Sequence, residues 1–103
     1  MLIVVNKDGS ETAFDKNKII DTLHKDNEAM RAVNPQGIVG EHIILVIATR
    51  LYDRCRKRPG KVTVAEISDM IETELMKEGA YRLAKMRIVN RCAREQEDTR
   101  KES

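Results

Sequence analysis

The stretch from Val39 to Arg58 constrains the fold more than any other part of this chain. Its centre, Ile43-Ile44-Leu45-Val46-Ile47-Ala48, has the β-branched content of a buried strand. Yet Val39, Ile43, Val46, Ile47, Leu51 and Cys55 fall on one helical stripe across the whole segment, and strands rarely exceed about ten residues. Length therefore decides for a helix, apolar on most sides and central to the core. In 103 residues, 41% hydrophobic and 35% charged, there is material for one modest core, so every other element must pack around that helix.

The flanking segments read clearly. Residues 2–5 form a β-branched strand, Asp8-Gly9 is a hairpin signal whose two central residues must accept positive φ, and Ser10–Phe14 returns. Asp15 then caps a first helix carrying Ile19, Leu23, Met30 and Val33 at helical spacing, a face that Asp26 and Asn27 interrupt. Asn34-Pro35-Gln36-Gly37 ends it. After the central helix and Pro59-Gly60, Lys61–Val64 is a short third strand. Thr63-Val64-Ala65-Glu66 fits a capping box ahead of Ile67, Met70, Ile71 and Leu75, with Gly79 closing that third helix. Ala80 to about Glu97 is a fourth helix, packing through Leu83, Ala84, Ile88 and Cys92. The expected fold is α+β and mostly helical: a four-helix bundle capped by a small three-stranded sheet, in the order ββααβαα. Residues 1–95 form the domain, and 96–103, of mixed charge and without an apolar anchor, a flexible tail or linker stump.

Several function classes are disfavoured. The sequence contains no GxxxxGK[ST], GxGxxG, HExxH or GxSxG pattern, and neither His24 nor His42 has a nucleophile beside it, so catalysis by this chain is not expected. Cys55 and Cys92 stand far apart without CxxC spacing, which reads as two buried, reduced thiols rather than a metal site. With 3% aromatic residues and a formal net charge of +2, the chain lacks the rings and the overall charge of a nucleic-acid platform. The longest apolar run is too short to span a bilayer and no signal peptide is present, so a cytoplasmic location is expected.

Any anion site must come from local clustering. Arg87, Arg91 and Arg94 lie at i, i+4 and i+7 on one helix face, either a solvated surface or a row aimed at phosphate. Arg54, Arg56, Lys57, Arg58 and Lys61 form a second cluster, read first as dipole complement and solubility and second as a surface for nucleic acid or an acidic partner. Lys7 lies beside the hairpin turn, while Asp15 and Lys18 open the first helix. If the last helix packs near the sheet, Lys7, Lys18 and Arg91 or Arg94 converge, with Val5 and Phe14 as an apolar wall. Cations beside a flat apolar surface describe a nucleotide site.

The stretches VVNKDGSETAFDKNKI, VTVAEISDMIETELM and YRLAKMRIVNRCAR, in that order, resemble the ATP-cone, a regulatory domain found at the N-terminus of many ribonucleotide reductases. The resemblance covers residues 3–94, and the stretch from Leu75 to Tyr81 looks closest to cones of the anaerobic, glycyl-radical enzymes. It rests on Lys7-Asp8-Gly9, Phe14-Asp15, Lys18-Ile19, Glu66-Ile67-Ser68-Asp69, and Ala84, Ile88, Arg91 and Arg94. Asn6 stands in place of the pattern's first turn lysine, Ser68 in place of its glutamine, and Arg87 and Asn90 in place of its closing tyrosines.

The resemblance implies a domain that binds ATP or dATP, with Mg2+, and switches a reductase catalytic domain or subunit by changing oligomeric state, including self-association. It implies that Lys7 and Lys18 hold phosphates, that Phe14, Asp15, Ile19, Val64, Ile67 and Ser68 surround base and ribose, and that Arg91 or Arg94 closes on the phosphate end. Arg87 would restore from the other wall the cation missing at Asn6. The departures leave a degenerate cone acting only in protein–protein interaction as an alternative. The resemblance extends to a zinc-ribbon transcriptional repressor of reductase genes, which carries its zinc cysteines ahead of the cone. As this chain opens with Met1-Leu2, that reading stands second, and a small basic nucleic-acid-binding module third.

Overall fold

The computed structural model describes residues 2–58 and 60–102, with side chains as far as Arg91. The elements run β1 Ile3–Val5, β2 Glu11–Ala13, α1 Lys16–Val33, α2 Glu41–Lys57, β3 Val62–Thr63, α3 Val64–Lys77 and α4 Tyr81–Glu102, with a short 3-10 turn at Pro35–Gly37. This is the expected ββααβαα order. The side chains of Cys92 and Arg94, and of the tail expected at 96–103, lie outside the described residues. No described helix is long and apolar enough to cross a membrane.

β1 is the middle strand, antiparallel to β2 with Val4 opposite Thr12, and parallel to β3 with Val4 opposite Val62. Parallel pairing needs a long connection, and β2, α1 and α2 together supply it between β1 and β3. The hairpin differs from the expected two-residue turn. Asn6 N–H bonds Ser10 O at 2.8 Å, leaving Lys7, Asp8 and Gly9 as a three-residue loop in which Gly9 alone has positive φ, +86°. The additional loop residue relieves Asp8 of a left-handed backbone. Its carboxylate instead accepts from Ser10 N and Ser10 Oγ, which holds its pKa below the usual value.

α2 is central as expected, but its buried stripe is Ile44, Ile47, Ala48, Leu51 and Cys55. Val39 precedes the helix, Val46 is half-buried and Leu45 is 46% exposed, so the helix is less apolar around its girth than its composition suggests. Leu23, Ile71, Leu75 and Leu83 complete the core from the other three helices. The Cys55 thiol lies 3.7 Å from Met70 Sδ, and burial pushes its pKa up. α3 ends in a Schellman arrangement, with Gly79 N–H bonded to Met76 O and Ala80 N–H to Leu75 O.

Polar residues depart most from the sequence reading. Val33, expected on the buried face of α1, is 81% exposed, whereas Asn27, read as an interruption, is buried. Asn27 Nδ2 donates to Val39 O at 2.9 Å and Oδ1 accepts from Val39 N at 3.0 Å, clamping the connection into α2. The capping box is half formed: Thr63 Oγ1 accepts from Glu66 N, but the Glu66 carboxylate pairs with Arg58. Arg54 bonds Glu74, whose side chain is 1% exposed, and Lys61 pairs with Glu11. The second basic cluster is thus largely spent on contacts within the fold, beyond the dipole and solubility roles its spacing suggested.

Gly37 faces Met30 so closely that an added Cβ would lie 2.6 Å from its Sδ. Met30 is itself 5% exposed and has little room to retreat. Gly37→Ala is therefore expected to destabilise the protein by about 1–3 kcal/mol, an overpacking cost measurable by urea unfolding.

Candidate functional site

Local capping sets the site's geometry. Asp15 Oδ1 accepts from Asn17 N at 2.9 Å, fixing where α1 begins. Lys18, Thr22, Lys25 and Asp26 then recur at i, i+4, i+7 and i+8 and share one face. The Thr63 cap does the same for α3, aligning Val64, Ile67, Ser68 and Ile71. Between these faces, under the hairpin, lies a cavity of about 440 Å³. Phe14, Ile19, Val64, Ile67 and Ile71 give it apolar walls, and Asp15, Lys18, Lys25, Ser68 and Arg87 give it polar groups. The Phe14 ring is held by Tyr52, with centroids 5.8 Å apart.

A smaller cavity of about 210 Å³ adjoins it and shares Asp26, Val64, Ser68 and Arg87 with it. Lys7, Ala65, Glu72, Asn90 and Arg91 line its remainder. The two are chambers of one cleft, with β1, β2 and α1 on one side and α3 and α4 on the other. Of the residues singled out from the sequence, Lys7, Phe14, Asp15, Lys18, Ile19, Val64, Ile67, Ser68, Arg87 and Arg91 all border this cleft. Arg94 lies outside the described side chains. A hollow of about 510 Å³, larger than either chamber alone, lies between the 3-10 turn and the α3–α4 connection, but among the described residues Arg82 is its only cation. Chemistry favours the first cleft.

Arg87 and Arg91 are not left to solvent. Arg87 Nη1 donates to Asp26 Oδ2, with side chains 12% and 20% exposed. Arg91 bonds Asp69 Oδ1 at 2.9 Å and lies 3.2 Å from Glu72 Oε1. Sequence reasoning missed Asn6, Thr12, Thr22, Lys25, Asp26 and Glu72 as cleft residues. The spacing of Thr22, Lys25 and Asp26 from Lys18 was the signal that could have found three of them.

The ATP cone domain family matches residues 2–96. The chain belongs to the ATP-cone family. No curated protein matches it. ATP cones are regulatory domains, and the family as a class binds adenine nucleotides. The cleft fits such a ligand on its own chemistry. It has a volume within the usual range for ligand pockets, apolar walls for a flat ring, and lysines from the hairpin loop and from α1. Arg87 Nε is also buried without a hydrogen-bond partner among the described residues, a donor at the junction of the chambers that the fold leaves unsatisfied.

Proposed function

We propose that this cone binds ATP or dATP, with Mg2+, between the hairpin and α4, and thereby controls a ribonucleotide reductase catalytic domain or subunit through its oligomeric or conformational state. One observation carries the reading: Lys7 and Lys18 on one wall and Arg87 and Arg91 on the other converge on a cleft lined by Phe14, Ile19, Val64 and Ile67. The apolar side chains take the base, Asp15 and Ser68 offer polar contacts to the sugar, and the cations orient the phosphates.

Five cations and three carboxylates line the two chambers, a surplus of two positive charges. That surplus is smaller than the charge of a free triphosphate. A cleft carboxylate such as Asp15 or Asp26 would hold Mg2+, which would supply the remaining neutralisation when bound. Regulation follows as population shift: ATP and dATP bias a conformational or assembly equilibrium only as far as they bind its two states with different affinity. Such control places the protein in the cytoplasm beside its reductase, with self-association as one route.

A degenerate cone that acts only through protein contacts is the second reading, favoured by the carboxylates already holding Arg87 and Arg91. Calorimetric titration with ATP, dATP and GTP in magnesium separates the two. Adenine nucleotides binding in the micromolar range, with GTP much weaker, is the expected result. No heat from any of the three, with no shift in thermal midpoint, would favour the degenerate module.

A further inference from the structure

Which groups in the cleft can receive an anion depends on which cations are already taken. Lys7, Lys18 and Lys25 are exposed and make no ion pair among the described residues. Arg87 is different. Its guanidinium is held by Asp26 of α1 across 61 residues of sequence, both side chains are mostly withdrawn from water, and both line both chambers. The pair therefore stands, with Val64 and Ser68, where the apolar chamber meets the Lys7–Arg91 chamber. It is also incomplete, since Arg87 Nε has no acceptor there.

We propose that Asp26 is a built-in competitor for the phosphates, a specificity-determining residue that occupies Arg87 until an anion of sufficient charge displaces it. This rests on the nucleotide reading of the cleft. Carboxylate and phosphate oxygens are alternative acceptors for the same guanidinium fork, so a phosphate entering at that junction exchanges one charge-assisted pair for another. Because Asp26 and Arg87 are largely desolvated, their attraction is stronger than at an open surface, and an incoming anion must exceed it. A polyphosphate anchored by Lys7, Lys18 and Lys25 brings that excess, whereas a lone phosphate, with fewer simultaneous contacts, does not. The exchange also has a mechanical result. Asp26–Arg87 ties α4 to α1 while Arg91 ties α4 to α3, so displacement at Arg87 loosens the first tie and spares the second. Occupancy of the cleft thereby changes how α4 is held.

The test compares the full chain with Asp26→Asn and Arg87→Ala, titrated with ATP and with inorganic tripolyphosphate. Asp26→Asn removes the competing charge while keeping the side chain's shape, and should tighten binding about tenfold, the low end of a charge-assisted hydrogen bond. Arg87→Ala should weaken binding, and the double variant should bind no tighter than Arg87→Ala alone, since the two residues act as a pair. Unaltered or weaker ATP binding by a folded Asp26→Asn overturns the competitor while leaving the nucleotide reading in place. Tripolyphosphate binding strengthened by the substitution, without preference for adenine, supports the competitor and overturns the nucleotide reading. Silence of both forms towards both probes overturns both. Should Asp26→Asn fail to fold, the unmodified protein still decides: the Arg87 Nε–H resonance should move downfield when ATP is added, and a resonance that stays in place at saturation overturns the exchange.

Discussion

Replacing Lys7 and Lys18 together with alanine is expected to weaken ATP binding about a thousandfold while leaving the thermal midpoint within about 2 °C of the parent. The two lysines reach the cleft from opposite ends of the hairpin, Lys7 into the smaller chamber and Lys18 into the larger. Each charge-assisted contact to phosphate is worth about 1.5–3 kcal/mol, and the sites are separate enough for the losses to add roughly. Neither lysine is buried, and neither holds an ion pair among the described residues, so the fold loses little. Each single substitution should show its part of the loss, and the residual affinity of the double variant should respond less to salt than that of the parent. A collapse of the thermal midpoint would make the lysines structural. Undiminished affinity would place the phosphates elsewhere.

Asn27→Ala is expected to produce the opposite signature, a large loss of stability with little change in nucleotide affinity. Asn27 is 8% exposed and serves both the N–H and the C=O of Val39. Truncation leaves two half-buried backbone groups without their partner, at about 1–3 kcal/mol each when water cannot replace it fully. A total of about 2–6 kcal/mol lowers the midpoint of a domain this size by about 10–45 °C. Asn27→Asp is the informative companion, because a carboxylate still accepts from Val39 N but faces Val39 O with a negative charge. It should be no better tolerated than alanine. Asn27 lines neither chamber of the cleft, so the folded fraction should bind ATP normally. A midpoint shift below about 2 °C would mean that water satisfies Val39 in its place.

The contrast between these substitutions also marks what the sequence could disclose. Asp15, Thr63 and Gly79 announce helix ends because capping is local chemistry, readable within four residues. From those ends follow the faces that carry Lys18, Ile67 and Ser68 into the cleft. Asn27, Arg54 and Arg87 were opaque for the converse reason. Whether a polar side chain is buried or solvated depends on its partner, and theirs stand 12, 20 and 61 residues away. Asp26 was legible in part: its position eight residues after Lys18 puts it on the same face, but against an apolar stripe it registered only as an interruption. The hairpin shows a subtler limit. Asp-Gly marks the turn correctly, yet the number of loop residues is set by register with Glu11–Ala13, and that register moved Lys7 into the loop.

The central claim is spatial: the hairpin wall and α4 serve one ligand together. Nitrogen-15 NMR of the full chain during titration with ATP tests it most directly, because every backbone amide reports separately. The expected result is concerted shifts at Lys7, Phe14 and Lys18 on one wall and at Ser68, Arg87 and Arg91 on the other, saturating at the same nucleotide concentration. Shifts confined to the hollow around Gly37 and Tyr81, or to one wall alone, would contradict it.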